Sequence, residues 1–147
     1  MKISTKGRYG LRALVDLAMY AGKENITLGS IAERQNISIK YLEQVFSQLR
    51  KAEIVKSVKG AQGGYALVDK PSDLKVGTIL RALEGDLVIT DEDEDENVVG
   101  SIQFSIKNIV WNKLNESINA FVDSITLEDL LEDYRKSNSS NMPMYYI

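Results

Sequence analysis

Ser38-Ile39-Lys40-Tyr41-Leu42-Glu43-Gln44-Val45-Phe46-Ser47-Gln48-Leu49-Arg50-Lys51-Ala52 is the stretch that decides the fold. Leu42, Val45, Phe46 and Leu49 recur at i, i+3, i+4 and i+7, which is one stripe of a helix. Ser38 stands where an N-cap belongs. Lys40, Tyr41, Gln44, Gln48 and Lys51 face the other way. Just upstream, the pattern predicts a short helix from about Leu28 to Gln35, with Thr27 as its N-cap and Leu28, Ile31 and Ala32 inward. Asn36-Ile37 reads as a tight turn between the two. Two helices on a short turn, the second with a polar outer face, make a helix-turn-helix.

Further out, Ile54–Val58 and Tyr65–Val68 read as short strands. They flank Lys59-Gly60-Ala61-Gln62-Gly63-Gly64, a glycine-rich hairpin with a basic residue at its mouth. A hairpin directly after the second helix is a wing. Gly7 to Ala21 predicts the preceding helix, with Leu11, Leu14, Ala18 and Ala21 on one stripe and Gly22 as its stop. Leu74 to Leu83 predicts a following helix that ends near Gly85. The fold class is mainly α with a small β-hairpin wing.

This arrangement suits duplex DNA. The first turn of the second helix would enter the major groove. There Gln44 can pair with adenine, Glu43 can accept from cytosine, and Ser38, Lys40 and Tyr41 can reach phosphates or base edges. Gly60, Gly63 and Gly64 would let the hairpin backbone come close, while Lys56 and Lys59 offset phosphate charge. Each of these features alone also describes ordinary solvated surface; it is their joint occurrence that points to DNA. The charge agrees. Residues 1–65 carry 11 Lys+Arg against 5 Asp+Glu, a balance of +6, and residues 66–147 carry 7 against 16, a balance of −9. The net charge of −3 therefore hides a basic half and an acidic half.

The second half is organised differently. Asp91 to Glu96 is an unbroken run of six carboxylates, expected to be a solvated loop because like charges in sequence repel. Calcium or magnesium could take such oxygens, but no spaced D-x-D-x-D-G pattern is present. Ser101 to about Ser124 then predicts one helix of about 36 Å. Phe104, Trp111, Ile118 and Ile125 are each seven apart, with Leu114 and Phe121 at the other seam positions. Ile102, Ile106, Ile109 and Val110 form a second apolar strip, and Lys107 interrupts the first. Two strips need two partners: the chain's own first domain and a second copy. The dimerisation seam is assigned to Phe104, Trp111, Leu114, Ile118 and Phe121. Leu127 to Tyr134 predicts a short last helix capped by Thr126, and residues 135–147 a flexible tail. The expected division is thus 1–85 for the winged helix, 86–100 for the acidic linker, 101–134 for the dimerisation helix with the short helix, and 135–147 for the tail.

The residues absent from the chain also bear on function. There is no cysteine and no histidine among 147 residues. Thiolate metal sites, disulfides, thiol nucleophiles and the commonest general base are excluded, and no catalytic activity or cofactor is expected. No apolar run reaches the ~18 residues of a membrane span, and Met1-Lys2-Ile3-Ser4-Thr5-Lys6 lacks a signal-peptide core; a cytoplasmic location is expected.

Lys2-Ile3-Ser4-Thr5-Lys6-Gly7-Arg8-Tyr9-Gly10, Ser38-Ile39-Lys40-Tyr41-Leu42-Glu43-Gln44, Leu49-Arg50-Lys51-Ala52 and Val58-Lys59-Gly60-Ala61-Gln62-Gly63-Gly64-Tyr65-Ala66-Leu67 together resemble the Rrf2 family of bacterial transcription regulators. The resemblance covers about the whole chain and is strongest over residues 2–85. It implies a homodimeric winged-helix repressor on a palindromic operator. The recognition helix would be Ser38–Arg50, the wing Lys59–Gly64 would reach the minor groove, and Ser101–Ser124 would join the copies. Several family members carry three cysteines before the long helix, where this chain has Asp91–Glu96. The similarity is greatest to the cluster-free branch that represses cysteine and sulfur metabolism. Lys59 stands where arginine is frequent, and lysine reads a narrow minor groove less well.

That branch also implies a partner, cysteine synthase. The chain closes on Met142-Pro143-Met144-Tyr145-Tyr146-Ile147, an apolar tip with Tyr145, Tyr146 and a terminal Ile147 after a polar stretch. Serine acetyltransferases dock a similar isoleucine-ended tail into that synthase. The tip serves equally as a plain terminus, or as a segment packed on its own dimer. Two other readings stand beside the repressor: a family regulator of another regulon, and a winged-helix module that binds protein.

Overall fold

The computed structural model describes residues 1–22, 26–60, 63–91 and 94–140. Its helices are α1 (Thr5–Met19), α2 (Leu28–Gln35), α3 (Ile39–Lys51), α4 (Val76–Glu84), α5 (Ile102–Ile106), α6 (Asn112–Asp123) and α7 (Leu127–Ser140). Two strands, β1 (Val55–Ser57) and β2 (Tyr65–Leu67), pair antiparallel, with Lys56 opposite Ala66.

The core is built from the predicted stripes. Leu42, Val45, Phe46 and Leu49 of α3 are each 0 % exposed, beside Leu14 and Leu17 of α1 and Ile31 of α2. Thr27 and Ser38 cap α2 and α3 by accepting from the backbone N–H of Ser30 and Tyr41. Asn36 ends α2 in the left-handed region at φ 53°, which an asparagine tolerates and which makes the turn tight. The wing is anchored at its root: the Phe46 and Tyr65 rings meet edge to face at 5.0 Å, and Tyr65 N–H donates to the Ile26 carbonyl.

Long-range contacts adjust several boundaries. Helix α1 begins at Thr5 rather than Gly7 because Glu84, at the end of α4, supplies its cap. One Glu84 oxygen accepts from Ser4 N–H at 2.9 Å, Ser4 Oγ at 2.6 Å and Gly7 N–H at 3.0 Å. Gly7 and Gly10 permit this approach, since a Cβ at Gly10 would sit 2.3 Å from a Leu83 methyl. Between α1 and α2, Arg34 grips the buried Asp16 carboxylate with Nε at 2.9 Å and Nη2 at 2.6 Å.

Helix α7 is not an appendage. Leu127 and Leu131 are 0 % and 1 % exposed in the main core. Residues on either side of Thr126 pair with residues 74–76, through Val76 N–H to Ile125 O and Leu127 N–H to Leu74 O, each 2.8 Å. A reciprocal capping box, Thr126 with Asp129, starts the helix. It runs to Ser140, past the expected end at Tyr134, so residues 135–140 are helical rather than a loose tether. Of the acidic run, Glu94 to Glu96 lie in a 3-10 turn over Glu94–Asn97, and Glu92 and Asp93 fall outside the described residues.

The long helix differs most from its predicted form. Helices α5 and α6 are joined by a π turn at Lys107–Trp111, with helical backbone angles at both junctions. A π turn inserts one residue, so positions seven apart across it lose their common face. The two predicted strips are thereby re-sorted. Ile118, Val122 and Ile125 pack on Val76, Leu80 and Leu87 of the same chain. Ile102, Ile106, Val110, Leu114 and Phe121 are exposed, Ile102 by 77 % and Phe121 by 64 %. Ile118 therefore leaves the seam first assigned to it and serves the chain's own domain. Trp111 is half-buried in a depression lined by Asp86, Lys107 and Asn115 of the same chain, and Phe104 is half-buried too. Only Leu114 and Phe121 of the predicted seam join the outward strip.

Candidate DNA interface

The buried stripe of α3 leaves one outward face. Ser38, Lys40, Glu43 and Gln44 are exposed at its first two turns. Lys40, Glu43, Gln44, Ser47 and Gln48 line one shallow groove together with Lys6 from the start of α1. Three of the residues assigned to DNA contact from the sequence, Lys40, Glu43 and Gln44, are thus brought together, and Lys6 is added to them. Local periodicity could not reveal Lys6, because it reaches this groove only after Glu84 has fixed the start of α1.

Tyr41 is half-buried and does not stand free beside Lys40. Its ring meets Tyr9 edge to face, with centroids 5.8 Å apart. Arg8 and Arg12 place their guanidinium carbons 5.9 Å and 5.0 Å from the Tyr9 centroid. A second basic element, on α1, therefore flanks the recognition helix.

The wing residues divide. Lys59 and Gly60 are exposed at the hairpin mouth. Gly63 and Gly64 take φ of 69° and 148°, a backbone that side-chain-bearing residues rarely adopt. The loop closes through Gly63 N–H to Gly60 O and Val58 N–H to Gly64 O. Ala61 and Gln62 lie outside the described residues, as does the tail with Tyr145, Tyr146 and Ile147. Lys56 is not at the α3 groove. It shares a separate surface with Arg50, Glu53 and Ser57 at the far end of α3.

Behind the interface, Arg81 of α4 ties the domain to α6. It donates to both Asp123 oxygens at 2.9 and 2.8 Å and to Asn119 Oδ1 at 2.8 Å. Hydrogen bonding from Arg81 holds the Asp123 carboxyl below its usual range, and the Arg81 guanidinium is raised above its own by the same contact. Gly77 is needed here, because a Cβ would stand 2.0 Å from Asp123 Oδ1. Arg81 thus ties the winged helix to a helix whose opposite side is apolar and exposed.

Comparison with known proteins agrees with this fold. The Rrf2 family, described as iron-dependent transcriptional regulators, matches residues 3–133. The transcriptional regulator CymR of Bacillus subtilis (strain 168) is 43 % identical over 130 residues, covering 88 % of this chain and 89 % of its own. The solved structure of CymR, the global cysteine regulator of B. subtilis, superposes with a TM-score of 0.77 over 90 % of this chain and 97 % of its own, at 42 % identity. The T. potens IscR structure gives 0.73 at 46 % identity, covering 93 % and 90 %.

Proposed function

The chain belongs to the Rrf2 family of transcription regulators, and from that premise we propose that it is a sequence-specific DNA-binding repressor of cysteine and sulfur metabolism. It acts in the cytoplasm as a homodimer on a palindromic operator, without an iron–sulfur cluster and without catalytic activity. The observation that carries this is the α3 groove, which Lys6 and Lys40 line together with Gln44 and Glu43, in a chain that also has a glycine wing with Lys59 at its mouth. Lysines supply phosphate attraction, and the amide and carboxylate supply base readout. The homodimer is supported by the exposed apolar strip from Ile102 to Phe121. The absence of cysteine supports cluster-free action. The likeness to CymR supports the regulon, and the comparable likeness to IscR supports a second reading, a regulator of another regulon. A winged helix that binds protein is a third, separated by salt dependence, since duplex binding weakens steeply as salt rises.

The signal follows from the same reading. The tip Tyr145-Tyr146-Ile147 docks into cysteine synthase, and the substrate of that enzyme competes with it. Calorimetry of a peptide of residues 138–147 with the synthase, free and amidated at Ile147, tests this; equal affinities would exclude carboxylate docking.

The decisive experiment for the whole reading is selection of bound sequences from a random duplex pool. A palindromic motif is expected. Recovery of no enriched motif, with affinity insensitive to salt, overturns it.

A further inference from the structure

A groove of about 600 Å³ opens between α1, α2 and α7, away from the groove of the recognition helix. Leu11, Val15, Met19 and Leu130 give it an apolar wall, and Arg12 and Arg34 stand on its polar side. Its size is that of small-molecule sites, and such sites combine apolar walls with a few placed polar groups.

The charge of the lining is unequal. Asp16 is 3 % exposed, and its carboxylate is already saturated. Arg34 donates to both of its oxygens, and Gln35 Nε2 donates to Oδ2 at 2.9 Å. Asp16 therefore neutralises Arg34 within the wall. Arg12 is the remaining charge among the described lining residues. It donates through Nη2 to the Gln35 carbonyl and lies over Tyr9. One such guanidinium in the lining of an apolar trough selects an anion with a greasy body.

We propose that this groove is an effector site for a small organic anion, a carboxylate or sulfonate carried on an aliphatic or aromatic body, held by Arg12. The site is wired to the reading face. Tyr9, under Arg12, meets Tyr41 in the first turn of α3, and Gln35 immediately precedes the turn between α2 and α3. An anion that engages Arg12 withdraws it from both contacts and loosens the seat of the recognition helix. Binding itself is independent of the DNA-binding function; the coupling rests on it.

The full chain is titrated by calorimetry with octanoate, and separately with 1-octanol as the uncharged probe of equal length. Octanoate is expected to bind at least ~10-fold tighter than the alcohol, as a charge-assisted hydrogen bond implies. Arg12→Gln should bring octanoate down to the level of the alcohol. Val15→Trp, which fills the trough, should abolish binding of both; Met19→Trp repeats the test if that variant fails to fold. Absence of octanoate binding, equal affinity for the two probes, or binding retained in both tryptophan variants overturns the site. Duplex affinity is then measured with and without saturating octanoate. A loss of ~5-fold or more is expected from a coupled site, and an unchanged value overturns the effector role. A chain that binds octanoate but no duplex under any condition fails the repressor reading and leaves the anion site standing.

Discussion

Helix α3 and the rod formed by α5, the π turn and α6 are both amphipathic, and they use amphipathicity in opposite ways. Helix α3 buries all of its large aliphatic residues except Ile39 and shows polar side chains outward. The rod packs one partly buried apolar strip on its own domain and shows another to the outside. A polar outer face is stable in water and is free to meet DNA. An apolar outer face of that length costs free energy until something covers it. The reading helix is thus complete within one chain, whereas the rod is not.

The outer strip is where substitution should act most strongly. Leu114→Asp combined with Phe121→Asp should dissociate the proposed dimer. Two central apolar positions at ~2 kcal/mol each correspond to a ~1000-fold rise in the dimer dissociation constant. Sedimentation of the variant checks this, and palindrome binding should weaken with it. A variant that sediments as the wild type does, with both as monomers, would remove the outer strip from the assembly.

The inner strip should respond in the opposite sense. Ile118→Ala is expected to cost about 2 kcal/mol of folding stability by emptying its place against Val76, Leu80 and Leu87. It should leave the dissociation constant of the dimer unchanged. Denaturant unfolding and sedimentation together separate the two effects. Loss of dimer without loss of stability would return Ile118 to the seam that heptad spacing first suggests.

Why that spacing misleads is physical. Counting by sevens assumes an unbroken helix, and nothing in Lys107-Asn108-Ile109-Val110-Trp111 announces a π turn. Helix α3 was legible because its caps, turn and stripe are all local: Ser38, Asn36 and Leu42–Leu49 signal the same element. The wing was legible for the same reason. What escaped the sequence depends on partners far along the chain. Glu84 caps α1 across 80 positions, Lys6 joins the α3 groove as a consequence, and α7 enters the core through pairing of residues 125–127 with 74–76. The apolar trough beside Arg12 likewise exists only once α7 has crossed α1, so no sequence motif marks it.

The polar face of α3 offers a finer cut. Gln44→Ala and Glu43→Ala should each change preference at one base pair per half-site by ~1–3 kcal/mol. Lys59→Ala should weaken binding to every sequence alike and lower the salt slope by about one unit. Lys6→Ala should behave as Lys59→Ala does if its place in the α3 groove is that of a phosphate anchor. Competition binding over a set of single-base variants at several salt concentrations reads both quantities. A base-specific effect from Lys59→Ala would overturn the division between reading and anchoring residues.

The smallest effect joins the two regions. Arg81 and Asp123 clamp α4, which carries the α1 cap, to α6, which carries the outer strip. Asp123 has a lowered pKa in the folded chain. A carboxyl of that kind adds stability that is fully present above its unfolded pKa and is lost as pH falls through its folded one. Arg81 is raised, so its share is present below its unfolded pKa and fades only in strong alkali. The clamp is therefore at full strength across the neutral range and weakens only below the ordinary carboxylate range, near pH ~4 and under. Both side chains remain about one-third exposed, so water and salt screen the pair and the effect is modest. Asp123→Asn should lower the melting temperature by a constant small amount between about pH 6 and pH 9, and the difference from wild type should shrink as the pH drops below ~4. Melting curves of the two proteins over that range measure it. A difference that grows on acidification would mean that the carboxylate is strained against its neighbours rather than held by Arg81, and the rod would then be joined to the domain by its apolar strip and by the hydrogen bonds of Asn115 and Asn119.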